Sequence, residues 1–150
     1  MFTTPADAPS LMSWNNGTST WVDTAMQNCV TNSPGVQMRC RTGRFNTDFL
    51  AGLGSFPSPA PYVSANYCNS LNAHGHTDWY LPAQDELNVL WINRMAIGGF
   101  NVTGIFLHSF YWSSSEEYSI NARIQRFSDG SQLGYSKNNT VKVRCVRRVP

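Results

Sequence analysis

The sequence predicts an α+β domain, and three observations carry that prediction. Residues 1–60 are rich in turn signals and poor in periodicity. Two segments, near 62–73 and 82–95, carry apolar residues at helical spacing. From residue 110 onward, short alternating runs are separated by turn residues. Helices followed by a run of strands is the order of an α+β chain, not of alternating βαβ units. The 150 residues suit one domain, read as a loop-rich part (1–60), a helical part (61–97) and antiparallel strands (98–150).

Each element has its own signal. Asn15-Asn16-Gly17, Ser33-Pro34-Gly35 and Thr42-Gly43 are turn strings. The run Ser55-Phe56-Pro57-Ser58-Pro59-Ala60-Pro61 reads as a stiff loop, with Pro61 suited to the first turn of a helix. Ala65, Cys68, Leu71 and Asn72 then follow at helical spacing, and His74-Gly75-His76 ends that helix with Gly75 as its C-terminal cap. Pro82 holds Trp79-Tyr80-Leu81 extended. The second helix, from about Pro82 to Met95, places Leu87, Leu90, Trp91 and Met95 on one face. Asp85 and Glu86 sit in its first turn, where the helix dipole favours carboxylates, and Gly98-Gly99 stops it. Phe110 to Ser113, Ala122 to Phe127 and Gln132 to Ser136 read as strands, with Ser128-Asp129-Gly130-Ser131 as a turn. The last strand, Thr140 to Val149, points Val141, Val143 and Cys145 one way and Lys142, Arg144 and Val146 the other.

Composition narrows the class. Charged residues are only 13 %, aromatics reach 13 %, and the net charge is +2. That aromatic load argues against disorder. The weak charge, with no dense Lys/Arg run before the C-terminus, argues against a nucleic-acid binder. No stretch approaches the roughly 18 apolar residues of a membrane helix. Residues 1–20 are polar and unlike a signal peptide, so the chain reads as cytosolic or as a mature or excised piece of an exported protein. Cys29, Cys40, Cys68 and Cys145 contain no CxxC pair and allow three pairings. Cys29 with Cys40 would staple a short loop around Ser33-Pro34-Gly35. Low charge and abundant Ser, Thr, Asn and Gly favour the exported, oxidised alternative.

An ordered series of strings carries a family resemblance. It runs Trp14-Asn15-Asn16-Gly17, Thr42-Gly43-Arg44-Phe45-Asn46-Thr47-Asp48, Tyr67-Cys68-x-x-Leu71 and Gly75-His76-Thr77-Asp78-Trp79-Tyr80-Leu81-Pro82. It continues with Asp85-Glu86-Leu87, Ile97-Gly98-Gly99-Phe100, Tyr111-Trp112-Ser113-Ser114-Ser115-Glu116, Phe127-Ser128-Asp129-Gly130 and Val143-Arg144-Cys145-Val146-Arg147. The series resembles the C-terminal domain family of the Legionella collagen-like adhesin, over nearly the whole chain. The resemblance implies a C-type-lectin-like fold, two helices on a twisted antiparallel sheet, with a disulfide from Cys68 in the first helix to Cys145 in the final strand. It implies an exported domain at the tip of a stalk, pilus or phage fibre that binds host or receptor surfaces. For the collagen-like adhesin it implies trimers that bind sulfated glycosaminoglycans. Ala83 stands where the family often has Ser or Thr, a lost side-chain cap of about 1 kcal/mol.

Candidate sites follow. Arg39, Arg41 and Arg44 form one basic cluster; Lys142, Arg144, Arg147 and Arg148 form another, with Arg123 and Arg126 on a strand that can neighbour it. Guanidinium groups bind sulfate and phosphate oxyanions bidentately, so Arg123, Arg126, Lys142, Arg144 and Arg147 are candidate ligand contacts. Tyr118 and Tyr135 are candidate stacking faces, as are Trp14, Trp21, Tyr111 and Trp112, although Trp79, Trp91 and Trp112 fit core positions. Glu116, Glu117 and Asp129 fit a solvated loop better than a calcium site, since neither C-type-lectin calcium string occurs. His74-x-His76 fits a turn better than a metal pair, and His108 is isolated. Ser113-Ser114-Ser115 lacks a nucleophile elbow. The expectation is therefore a non-enzymatic surface adhesion or receptor-binding domain, homo-oligomeric, taking cell-surface glycans without calcium or any cofactor. The alternatives are a structural subunit or cap of a fibre or pilus, a phage receptor binder, and an enzyme of the formylglycine-generating kind.

Overall fold

A computed structural model describes residues 1–16, 40–52, 62–104 and 108–149. In chain order its elements are β1 (Phe2–Thr3), β2 (Met12–Ser13), α1 (Gly43–Gly52), α2 (Val63–Asn69), α3 (Gln84–Ile92) and α4 (Arg94–Ile97). Then come β3 (Phe110–Glu116), β4 (Asn121–Arg126), β5 (Gln132–Ser136), β6 (Thr140–Val141) and β7 (Val146–Arg147). The α+β class is as expected: helices, then an antiparallel β3-β4-β5 meander.

The centre is β3, buried along its whole length. Its alternating side chains serve two cores, as a strand buried on both faces must. Phe110 and Trp112 join Ala122, Ile124, Leu50, Cys68 and Val143 on one side. Tyr111 joins Tyr80, Leu87, Leu90, Phe127 and Val146 on the other. A disulfide joins Cys68 of α2 to Cys145, with Cα atoms 5.5 Å apart. In the chain-entropy account, closing so long a loop is worth about 4 kcal/mol. The expected Cys29–Cys40 pairing lies outside the described residues, as do Trp21 and Arg39.

Several expectations need correction. The segment read as loops contains α1. Its inward face is Gly43, Asn46, Thr47 and Leu50, three of them not apolar, so no hydrophobic stripe announces it. Gly43 is a packing glycine rather than a turn glycine: a Cβ there would meet the Ala83 nitrogen at 2.5 Å and the Leu81 carbonyl at 2.8 Å. The helix expected to reach residue 73 ends at Asn69. Gly75 is not its cap but part of a two-residue turn between Ala73 and His76, which exchange both backbone hydrogen bonds at 3.0 Å.

The second helix is also shorter. It breaks at Asn93 into α3 and α4, and Met95, expected inside, is 78 % exposed. Gly98 (φ 77°) does end α4. Ala83 has no capping side chain, yet the first turn of α3 is satisfied. Glu86 Oε2 accepts the Ala83 N–H at 3.0 Å and Ser115 Oγ accepts the Gln84 N–H at 3.0 Å. The last strand is not continuous. β6 pairs with β2, Lys142 bridges Tyr111 in a parallel sense, and β7 pairs with β1. Both of its faces are covered, so Arg144 and Val146 are fully buried, as Val141 and Val143 are.

Candidate functional site

The first turn of α3 gathers three elements. Its successive side chains Gln84, Asp85 and Glu86 hold Arg123 from β4 at 2.6 Å, Arg41 at 3.2 Å and Arg148 at 2.7 Å. Glu86 is the buried member. It accepts the Gly43 N–H (3.0 Å), the Ala83 N–H (3.0 Å) and the Tyr80 hydroxyl (3.1 Å) besides Arg148. Burial, together with the neighbouring carboxylate, pushes the Tyr80 hydroxyl well above its usual pKa, so Tyr80 stays a neutral donor.

Above this hub runs a trough beside the C-terminal segment. Arg44, Phe45 and Asp48 of α1 line one open depression of about 340 Å³ together with Glu86 and Arg148. Arg44, Arg148, Asp78, Tyr80 and Val149 line the next, about 270 Å³. Val149 also borders a separate depression of about 360 Å³, lined by Phe2, His76, Trp79 and Arg147 and outside the trough. Arg44 and Arg148 thus meet across more than a hundred residues of sequence. Phe45 stacks on Phe49 and remains 45 % exposed. Asp78 is held below its ordinary pKa chiefly by the hydrogen bond from Arg147 Nε at 2.8 Å.

The other expected contacts are elsewhere. Arg144 is fully buried, so it is no surface ligand. Its Nε donates to Asp7 Oδ1 at 2.8 Å and its Nη1 to the Thr4 carbonyl at 2.6 Å, while Phe100 lies 4.2 Å from the guanidinium. Lys142 shares Asp7 at 2.9 Å. Arg123 is bound to Glu117 at 2.8 Å and Arg126 to Asp129 at 2.8 Å. Tyr118 is half exposed in the turn after β3, and Tyr135 stacks on Phe110; neither lines the trough. Of the other stacking candidates, Trp14, Tyr111 and Trp112 are buried, and the indole N–H groups of both tryptophans are spent on backbone carbonyls.

Every acidic side chain among the described residues is ion-paired. Arg94, the basic side chain with no carboxylate among those pairs, lies over Trp91 at 4.7 Å. A broad unpaired cationic face is therefore not built from the described residues. Glu116 is not in a solvated loop: it is buried in β3 against Lys137, whose ammonium lies over Trp14. Burial lowers the Lys137 pKa, against the pull of Glu116. Among the described residues no group of three His, Cys, Asp or Glu is placed to hold a metal ion. Ser113, Ser114 and Ser115 are structural, bonding the Arg123 carbonyl, Asn46 and the Gln84 N–H.

Sequence reasoning separated Arg44 from Arg148 and passed over Phe45 and Asp78. The signal available was the Thr42-to-Asp48 string itself, which holds α1 side chains facing the trough. The model of the Lcl C-terminal domain family matches residues 6–147. The chain belongs to that family. As an Lcl C-terminal domain it is a surface adhesin-like domain. No curated protein matches the sequence. A fimbrial protein from Bacteroides ovatus, of solved structure, is similar in fold at TM-score 0.66 and 15 % identity. The likeness covers 95 % of this chain and 34 % of that one, so this Lcl C-terminal domain corresponds to about a third of the longer chain. The family is one of surface adhesin-like domains, and the fimbrial neighbour is a likeness of fold alone.

Proposed function

We propose that this domain is an exported adhesion module that holds a cell-surface glycan, without calcium, in the trough between α1 and the C-terminal segment. The observation behind the reading is the convergence of Arg44 and Arg148 on one depression beside exposed Phe45. Each guanidinium is partnered by a carboxylate, Asp48 or Glu86, so the trough offers donors and acceptors to sugar hydroxyls and an aromatic face to a ring. A sulfated or otherwise anionic ligand would rest on these two arginines, and not on Arg123, Arg126 or Lys142. The Cys68–Cys145 link and the helix-then-meander order support a C-type-lectin-like reading of the fold. Several copies in a homo-oligomer, as in a trimer, would raise weak single-site affinity by avidity. A panel of sulfated and unsulfated glycans, read with EDTA and over a salt series, tests this. Binding that survives EDTA and weakens with salt supports it; a requirement for calcium refutes the metal-free reading.

A second reading has its own observation. Val89, Ile92 and Met95 are exposed on α3 and α4, an apolar face that suits protein contact, and the structural neighbour is fimbrial. In that reading the domain is a fibre or pilus subunit. Filaments or a stable oligomer with no glycan signal would favour it.

A further inference from the structure

The tight turn at residues 73–76 is not used by the glycan trough at Arg44 and Arg148. His74 and Gly75 form its two central residues, at φ 54° and 75°. Glycine adopts that conformation freely, whereas His74 is the one non-glycine residue at positive φ among the described residues. The turn is pinned from below: the Trp79 indole N–H donates to the carbonyls of Ala73 (3.2 Å) and His76 (3.1 Å), and the His74 ring packs edge-on against Trp79. A sparsely populated backbone state is thus held in place, and it presents an imidazole to the depression of about 360 Å³.

Apart from Thr3, the lining of that depression is apolar or cationic. Phe2, Pro5, Trp79 and Val149 are apolar, and the ionisable groups are His74, His76 and Arg147, all cationic or able to become so. The carboxylates that line the neighbouring depressions are already committed. Asp78, in the adjoining depression, pairs with Arg147 Nε and also feels the charge of His76, and Asp7, which lies with His74 around another, is held by Arg144, Lys142 and the Tyr111 hydroxyl. Arg147 uses its Nε on Asp78, which leaves its terminal nitrogens for a ligand. Phe2 is 56 % exposed beneath the Arg147 guanidinium, 6.0 Å away, and offers a ring-sized apolar face.

We propose that this depression is a separate, proton-gated site for a carboxylated sugar. The carboxylate meets Arg147 and the two imidazoles, and the sugar ring lies against Phe2 and Pro5. Protonation of either imidazole adds a positive charge facing the carboxylate, so binding strengthens on acidification. The ligand class rests on the glycan reading above, but the residues do not include Arg44 or Arg148.

The test is an NMR titration of the full chain with sodium glucuronate at about pH 5.5 and 7.5, with glucose and methyl glucuronate ester as controls. The expected result is perturbation of the His74 and His76 rings and the Trp79 indole by glucuronate alone. Affinity should be about three- to tenfold higher at the lower pH, the range for two solvent-exposed charge contacts. His74→Asn with His76→Asn should abolish the pH dependence while the chain stays folded, because Asn tolerates the left-handed turn position. Arg147→Gln should weaken binding at both pH values. Equal response to glucose, pH-independent binding, or no perturbation at these residues overturns the proposal. Perturbation confined to Arg44 and Arg148 also overturns it but leaves the trough reading standing. Glucuronate bound here with no glycan at Arg44 and Arg148 does the reverse.

Discussion

Arg144→Met separates a structural arginine from a ligand-binding one. The side chain is fully buried and holds three points: Asp7 (2.8 Å), the Thr4 carbonyl (2.6 Å) and the Gly99 carbonyl. It therefore ties the N-terminal segment and the loop after α4 to the segment between β6 and β7. Removing one member of a buried pair costs about 3–5 kcal/mol. Here the lower part of that range applies. Asp7 keeps Lys142 and Tyr111, and the Thr4 carbonyl keeps the Thr3 hydroxyl at 3.2 Å. A loss of about 3 kcal/mol corresponds to a Tm lower by about 10 °C for a chain of this size. Arg144→Lys keeps the charge but not the fork, and should lose about 2 kcal/mol. Urea unfolding monitored by tryptophan fluorescence reads both. A loss under about 1 kcal/mol for the Met variant refutes the clamp. So does a loss of glycan binding by a variant of unchanged stability, which would return Arg144 to the ligand site.

Other outcomes follow from the same reasoning. Lys137→Met removes the buried cation facing Glu116 and should cost about 3–5 kcal/mol, whereas Lys137→Met with Glu116→Leu should recover most of it in denaturant titration. Gly43→Ala forces a Cβ into the backbone of residues 81–83 and should cost about 2 kcal/mol, while Gly52→Ala, with open space around it, should be within about 0.5 kcal/mol of the parent. Asp78 and Asp129 have folded pKa values below the ordinary 3.8, through hydrogen bonds from Arg147 and from the Ser131 backbone respectively. Their stabilisation is therefore fully present above that value and fades as pH falls through the folded one. Asp78→Asn and Asp129→Asn should lower stability at about pH 6, with the gap to the parent narrowing as pH falls below about 3.8, read by urea titration at each pH.

What the sequence makes legible is the part written in local pattern. The β3-β4-β5 meander and the start of α3 follow from alternation, turn residues and a helical stripe. The link from Cys68 to Cys145 was expected from the family series rather than from spacing. α1 was hidden because its buried face uses Gly43, Asn46 and Thr47, chosen for close approach and hydrogen bonding rather than for hydrophobicity. The last strand misleads for a related reason: alternation assumes one wet face, and this segment is covered on both, which buries Arg144. The meeting of Arg44 with Arg148 is set wholly by tertiary packing, since Glu86 draws the α1 N-terminus and the C-terminal segment to one carboxylate. The His74 turn reads as a helix cap from sequence because Gly75 has the same positive φ in either role.

The glycan proposal places adhesion in the trough between α1 and the C-terminal segment. Its most direct test is the affinity of Arg44→Ala with Arg148→Ala for the strongest glycan on the panel, against Arg123→Ala, with each variant first shown to be folded at the assay temperature. A loss of about tenfold or more is expected for the trough pair and little change for Arg123→Ala. Undiminished binding by the trough pair, or a larger loss from Arg123→Ala, contradicts it.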